Sequence, residues 1–314
     1  MEISPACKIE SIERMCVMGC TADRNGNVVR NDSGQDRFLE KLYGSRTGRF
    51  LLKPLVSPVV SEVMGKVLDS RVSALAVGPF IRANGIDMKD YLGAPYRSYN
   101  DFFVRRIRPG VRKIEKDPGT FISPCDSRLS VYTIDGDCRV KIKHTPYTLN
   151  SLLRNHKLAK RFEGGYLWVF RLCVDDYHRY IYVDDGMESG HVKIPGVFHT
   201  VNPVANDVYP IYKENAREYS LLRSDNFGTL LQMEVGALMV GKIQNHYEHT
   251  QVSRGFEKGN FAFGGSTIIL ISQKNRVQPD EDILSNSLNG IETRVHLGEK
   301  IGVQALASMK NNFM

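Results

Sequence analysis

Apolar residues along this chain follow two regimes that change near Pro109. Between Asp36 and about Asp90 they recur at helical spacing. Phe38, Leu39 and Leu42 share one face, and Val60, Val63, Met64, Val67 and Leu68 make a better one at i, i+3, i+4, i+7 and i+8. Pro58 fits the first turn of this second helix, where its missing N–H would be unpaired in any case. Such a face is ordinarily core. The alternative is a helix resting on a membrane, because Phe50, Leu51 and Leu52 adjoin Lys53, with Arg71 further on. Residues 1 to about 35 have weak periodicity; Asn25-Gly26-Asn27 reads either as the turn of a short strand pair or as part of a loosely attached leader.

Beyond Pro109 the texture becomes short β-like runs punctuated by Gly, Pro, Asn and Asp: Leu129–Ile134, Tyr166–Leu172, Tyr180–Val183, Val192–Ile194, Leu230–Val235 and Thr267–Ser272. Leu149–Arg154 reads as a short helix capped by Thr148. No long helices alternate with these strands, so a doubly wound sheet fits poorly. The expected fold is α+β: a β-rich barrel or sandwich core over residues 99–314, preceded by an N-terminal leader and helical region over residues 1–98.

The 314 residues (35.5 kDa) are 42% hydrophobic and 25% charged, an ordinary folded composition that excludes disorder, collagen and coiled coil. Lys and Arg number 42 against 35 Asp and Glu, giving +7 and a pI near 9.0. That excess favours anionic partners. The basic residues are dispersed and not interleaved with aromatics, so lipid head groups are expected rather than nucleic acid. The apolar run Val72–Ile81 falls short of the roughly 20 residues needed to cross a bilayer, and no secretory pattern opens the chain. The six cysteines, at 7, 16, 20, 125, 138 and 173, are therefore expected as reduced thiols. Cys16 and Cys20 have no second pair to complete a zinc site, and no metal is expected.

Four segments could carry chemistry. Ser123-Pro124-Cys125-Asp126 is a turn entering a strand, where an Asp most often bonds its own backbone. Asp175-Asp176-Tyr177-His178 places an imidazole at a strand start, and Phe198-His199-Thr200 places another in a loop; either could work as acid or base, though a lone His is more often structural. Phe263-Gly264-Gly265-Ser266-Thr267 runs straight into Ile268-Ile269-Leu270. Two glycines permit backbone geometries closed to other residues, and a strained Gly–Ser peptide is open to attack by its own hydroxyl. Local chemistry alone favours a Gly-Gly bulge there, since a Ser nucleophile needs a nearby base.

Together these segments resemble the phosphatidylserine decarboxylase family from about Tyr99 to Gly302. The resemblance is carried by Tyr99-Asn100-Asp101-Phe102-Phe103-Val104-Arg105-Arg106, Ser123-Pro124-Cys125-Asp126, Asp176-Tyr177-His178-Arg179, Val201-Asn202-Pro203, Asn226-Phe227-Gly228, Glu234-Val235-Gly236-Ala237 and Phe263-Gly264-Gly265-Ser266-Thr267. It implies a self-processing enzyme. Ser266 would attack the Gly265 carbonyl, cleavage would fall between Gly265 and Ser266, and Ser266 would become a covalent pyruvoyl cofactor on the shorter chain. That group condenses with the substrate amine and supplies an electron sink for loss of carbon dioxide, as pyridoxal phosphate does elsewhere. Asp126 matches the carboxylate of the family's Asp-His-Ser relay, and His178 is the expected general acid.

The implied reaction is decarboxylation of phosphatidylserine to phosphatidylethanolamine by a heterodimer of the two cleaved chains. It would take place peripherally, at an anionic phospholipid surface on the cytoplasmic side of the cell membrane. Arg105, Arg106, Arg108, Arg112 and Lys113 are expected to meet the anionic lipid. Two alternatives stand beside it: the same chemistry on another serine lipid or a free amino acid, and a membrane-binding homologue that does not cleave. One departure bears on the choice. Many family members carry a second histidine three positions after that of His178, assigned to the self-cleavage relay, and here Ile181 stands in its place. Strand alternation would point His178, Tyr180 and Tyr182 one way and Ile181 the other. Either His178 serves both steps, or another imidazole such as His199 approaches Ser266, or cleavage is slow or absent. The intact Gly265-Ser266 motif favours cleavage.

Overall fold

The runs from Tyr166 to Leu172 and from Ser266 to Ser272 are rich in aromatic and β-branched residues on both alternating sides, the pattern of strands covered on both faces. In the computed structural model, which describes residues 20–30, 43, 45, 50, 56–93, 95–142, 145–200, 203–206, 209–237, 243–262 and 266–305, these two runs pair at the centre of a large sheet.

In chain order the strands begin β1 (Cys20–Ala22), β2 (Val28–Arg30), β3 (Thr120–Ile122), β4 (Ser127–Thr133), β5 (Arg139–Ile142), β6 (Thr145–Thr148), β7 (Tyr166–Leu172), β8 (Arg179–Ile181) and β9 (Gly186–Glu188). They continue β10 (Val192–Ile194), β11 (Arg217–Ser224), β12 (Gly228–Val235), β13 (Ile243–Asn245), β14 (Gln251–Val252), β15 (Glu257–Phe261), β16 (Ser266–Ser272), β17 (Val277–Pro279), β18 (Glu292–Val295) and β19 (Lys300–Gln304). The large sheet follows the order β14-β9-β11-β12-β16-β7-β4-β18-β1-β2, with β10 also pairing β11; smaller sheets are β13-β15-β8, β17-β19-β3 and β5-β6.

Alternation along the central strands fills both sides. Trp168, Phe170, Leu172, Ile268 and Leu270 enter one core with Leu129, Val131, Tyr180 and Phe261. Leu167, Val169, Ile269 and Ile271 enter the other with Leu149, Leu152, Tyr212 and Met233. The first core lies under the β13-β15-β8 and β17-β19-β3 sheets; the second lies under the β5-β6 hairpin and the short helices Leu149–Leu153, His156–Lys160 and Ile211–Glu214. The α+β, layered expectation holds in its sandwich form. The large sheet does not close on itself, because its path ends at β14 and at β2.

Local signals were accurate where they rested on backbone chemistry. Thr148 caps the Leu149–Leu153 helix, its side chain accepting from the Ser151 amide at 3.1 Å. Gly26, at φ +86°, turns the β1–β2 hairpin, which adds to the sheet edge through parallel pairing of β1 with β18. Arg24 fixes that hairpin to Asp280 and Asp282. Residues 20–30 are therefore docked, which settles the choice between hairpin and loose leader for that part.

The helix expected near Pro58 spans Pro58–Leu68, but its apolar face departs from a core face. Leu68 packs against a small cluster built on Val77, Tyr99, Phe102 and Phe103, whereas Val59, Val63 and Val67 are 70%, 55% and 52% exposed. The helix is rotated to bury Ser61 instead, leaving an i, i+4, i+8 valine stripe in solvent. Phe38, Leu39, Leu42 and Leu51 to Lys53 lie outside the described residues.

Candidate active site

β16 begins at Ser266, and the register fixes what lies beside it. Ser266 pairs with Leu172 at the end of β7, Arg171 pairs with Arg128, and Ser127 at the start of β4 pairs with Val295. These pairings bring Ser266 and Asp126 to one end of the sheet, with Ser127 two strand spacings, about 10 Å, from Ser266. Ser266 is in phase with Ile268 and Leu270, so its hydroxyl projects on the side covered by β8 and β15. It is fully buried, and its Oγ has no hydrogen-bond partner. Buried polar atoms are mostly paired; among the described residues Ser61, Ser127, Ser220 and Thr267 share this unpartnered state, so what distinguishes Ser266 is its place directly after Gly264-Gly265. Gly264 and Gly265 lie outside the described residues.

Asp126 is 5% exposed. Arg112 grips both its oxygens, Nε at 3.0 Å from Oδ1 and Nη2 at 2.7 Å from Oδ2, the Leu297 amide donates at 2.8 Å, and His296 Nδ1 stands 3.7 Å away. Burial alone would raise the pKa of this carboxyl; His296, Arg112 and the Leu297 amide overcome it and bring it down to about 2. Asp126 is thus a permanent carboxylate at neutral pH.

His178 is fully buried against Phe103, with ring centroids 4.0 Å apart. The Phe261 amide donates to its carbonyl at 3.0 Å, which places it beside the strand that leads toward Ser266. Its Nδ1 faces the Asp176 carbonyl at 2.9 Å, which only an N–H can satisfy, so Nε2 carries the lone pair; that nitrogen has no partner. Burial, reinforced by the Arg105 charge, lowers its pKa to about 3, so the ring is neutral. Burial also raises Asp176 to about 6, against the pull of Arg128 at 3.1 Å. Cys173, Asp175 and Asp176 bring a thiol and two carboxylates within 4.8 Å of one another, but Asp176 already accepts from Arg128 and from the Cys173 amide.

His199 goes elsewhere. Its ring stacks on Tyr209 at 4.5 Å and meets Tyr43 edge-on, and both tyrosines belong to the core opposite the face on which Ser266 projects. Its Nδ1 has no partner, and burial lowers its pKa. The expected basic patch also divides. Arg106, Arg108 and Lys113 are exposed, but Arg105 is 2% exposed and Arg112 is committed to Asp126. Charge alone could not show that two of the five turn inward.

Sequence reasoning missed Arg112 and His296 beside Asp126, and a buried polar network between β12 and β15. There Lys258 Nζ lies 2.9 Å from Glu234 Oε1, 3.0 Å from Asn245 Oδ1 and 3.8 Å from Glu188 Oε1. His191 adds contacts to Glu188 at 3.1 Å and Glu218 at 2.8 Å. Burial works against the charged imidazole, but the two glutamates prevail and raise it to about 9. The one available signal was Glu234 within the Glu-Val-Gly-Ala motif.

Comparison with known proteins places the chain in a family. The family model described as phosphatidylserine decarboxylase matches residues 99–303. The chain is 44% identical over 271 residues to phosphatidylserine decarboxylase proenzyme 2 of Clostridium acetobutylicum, covering 86% of this chain and 92% of that protein. It is 40% identical over 275 residues to the phosphatidylserine decarboxylase proenzyme of Clostridium novyi (86% and 93%) and 39% over 272 residues to that of Clostridium tetani (85% and 92%). The chain belongs to the phosphatidylserine decarboxylase family. It is an enzyme of that family, a decarboxylase whose relatives are named as proenzymes.

Proposed function

We propose that this chain cleaves itself between Gly265 and Ser266, and that Ser266 becomes the pyruvoyl group opening the 266–314 chain. The two chains then remain together and decarboxylate phosphatidylserine to phosphatidylethanolamine and carbon dioxide. The observation that carries this reading is the fully buried, unpartnered Ser266 Oγ at the sheet end that also holds Asp126. A pyruvoyl carbonyl at that position supplies the electron sink that carbon dioxide loss from an α-amino acid requires.

The chain's own side chains supply the rest. Two described imidazoles have a buried, unpartnered ring nitrogen, His178 and His199, and His178 is the one on the side that Ser266 faces. Its neutral Nε2 takes the Ser266 proton during cleavage. In the mature enzyme the same nitrogen takes a proton from the substrate ammonium and returns it to the α-carbon once carbon dioxide has left. Asp126 is the carboxylate of the relay. Exposed Val59, Val63, Val67, Val72 and Leu75, beside exposed Lys66 and Arg71, support peripheral contact of the N-terminal region with anionic lipid. No helix among the described residues is long and apolar enough to cross a membrane.

A denaturing mass spectrum of wild type beside Ser266→Ala tests the proposal. Two wild-type chains meeting at Gly265/Ser266, the smaller with a pyruvoyl mass, and carbon dioxide release from phosphatidylserine vesicles are the expected result. A single intact wild-type chain that persists with anionic vesicles overturns it and favours the non-cleaving homologue that Ile181 permits.

A further inference from the structure

Among the described residues, the buried and half-buried arginines other than Arg105 that enter the core region have their charge answered. Arg112, Arg128, Arg171, Arg179 and Arg254 each meet a carboxylate, of Asp126, Asp176, Glu292, Glu257 and Asp184 respectively. Arg217, 2% exposed, meets none, but all three of its nitrogens donate to backbone carbonyls, those of Leu152, Lys213, Asn215 and Ser151.

Arg105 is the exception. It is as buried as Arg217, yet only Nη2 is bonded, to the carbonyls of Asp175 at 3.0 Å and Asp176 at 3.2 Å and to the Tyr91 hydroxyl at 3.4 Å. Nε and Nη1 have no acceptor. Tyr91 and Phe102 stand over the guanidinium at 4.4 and 4.8 Å, which accounts for its flat faces but offers nothing to the N–H edges. Buried donors without acceptors are rare enough to call for a ligand, and the missing ligand is an anion with oxygen acceptors.

Its place identifies which anion. The Asp176 carbonyl that takes Arg105 Nη2 also takes His178 Nδ1 at 2.9 Å, so guanidinium and imidazole flank one oxygen. Resting on the decarboxylase reading above, we infer that Arg105 is the receptor for the phosphodiester of the substrate head group. In a phosphoserine head group the phosphorus lies three bonds from the α-carbon that His178 serves. The neighbouring carboxylate is the poorer fit, because it departs as neutral carbon dioxide and a fixed cation upon it would hold back its loss. A phosphodiester keeps its charge from substrate to product, so an arginine on it contributes equally to ground and transition states and acts on KM rather than kcat.

The test compares phosphatidylserine with its methyl phosphotriester, neutral at phosphorus but with amine and carboxylate intact, at fixed surface fraction in mixed micelles. Carbon dioxide release is measured for processed wild type, Arg105→Gln and Arg105→Lys. Wild type is expected to show a KM about tenfold or more higher for the triester with kcat little changed, the loss of a charge-assisted contact. In Arg105→Gln the KM for phosphatidylserine rises by a similar factor and the triester adds no further penalty, whereas Arg105→Lys falls between. A residue that merely held the Asp175–Asp176 loop would leave the triester penalty intact in the variant. That result, or equal wild-type KM values for the two lipids, overturns the assignment, and the second of these can be read even if neither variant folds. Wild type that releases no carbon dioxide from phosphatidylserine overturns the decarboxylase reading and the assignment with it.

Discussion

The backbone N–H of Ile181 donates to the carbonyl of Pro124 at 3.0 Å, which sets position 181 against the loop that carries Asp126. The Ile181 side chain is 5% exposed and shares a core with Cys125 and with Leu172, the strand neighbour of Ser266. An aliphatic group therefore fills a place in the core onto which Ser266 projects, hydrogen-bonded through its backbone to the turn that leads into Asp126.

Ile181→His is expected to speed self-cleavage. An imidazole there would gain the Asp126 carboxylate as a partner and relieve His178 of the first proton transfer. General-base assistance of this kind is worth about 100-fold or more, offset by about 1–3 kcal/mol of stability for a polar ring in an apolar site. Cleavage time courses of newly synthesised wild type and variant on denaturing gels check it; an unchanged or slower rate in a folded variant would show that position 181 does not communicate with Ser266.

His178 should also write itself into the pH dependence of stability. Its folded pKa, depressed to about 3 by burial and by Arg105, lies below the unfolded value of about 6.5. Below pH 6.5 the unfolded chain takes up a proton that the folded chain refuses, so stability falls as pH drops from 6.5 toward 3. Between pH 7 and pH 4 the loss from this group is on the order of 3 kcal/mol. Urea unfolding of His178→Gln should show a shallower acid decline than wild type by about that amount; parallel curves would mean that the ring is protonated in the folded protein.

How far the sequence could be read depended on whether a feature was local. Tyr166–Leu172 and Ser266–Ser272 were legible because two-sided burial demands uninterrupted β-forming residues, and Thr148 because a cap bonds its own helix. The Val60–Leu68 periodicity showed an apolar face but not what covers it; burial of Ser61 rotated that face outward. Side chains that pair across the fold left no trace. Arg112 reads as one basic residue among five until its partner Asp126 is known, and the amide that completes the Asp126 site belongs to Leu297, 171 residues further on. Lys258 meets glutamates on separate strands, a meeting only the folded sheet arranges.

That lysine supports a prediction of its own. Lys258 and Glu234 are 1% and 0% exposed, and burial pushes the Glu234 pKa upward while Lys258 holds it back. Lys258→Met leaves Glu234 without its direct counter-charge, with His191 the remaining cation of the network, and should cost about 3–5 kcal/mol, the usual penalty for removing one partner of a buried pair. Adding Glu234→Gln removes much of that uncompensated buried charge, so the double variant should be more stable than the sum of the singles by about 1–3 kcal/mol. Chemical denaturation of the four proteins closes the cycle. Strict additivity would show that the network is not electrostatically coupled.

The valine stripe on the Pro58–Leu68 helix separates membrane contact from folding. Val63 and Val67 are more than half exposed, so replacing both with Glu removes little packing and should leave the free energy of urea unfolding within about 0.5 kcal/mol of wild type for each site. On an anionic vesicle the same changes withdraw apolar area from the interface and set two negative charges against the surface beside Lys66 and Arg71. Binding should weaken about tenfold or more, and the loss should grow as salt is lowered, since repulsion is then less screened. Leu288, 80% exposed on the helix Glu281–Leu288 that packs against β4, is the control: Leu288→Glu should leave vesicle binding unchanged. Equal losses from both surfaces would mean that the chain meets lipid through net charge alone, and sedimentation with phosphatidylserine-containing vesicles at two salt concentrations distinguishes the cases. The valine stripe is the stronger candidate because it repeats at i, i+4 and i+8 on one helical face, so that a single orientation on the bilayer buries every member at once.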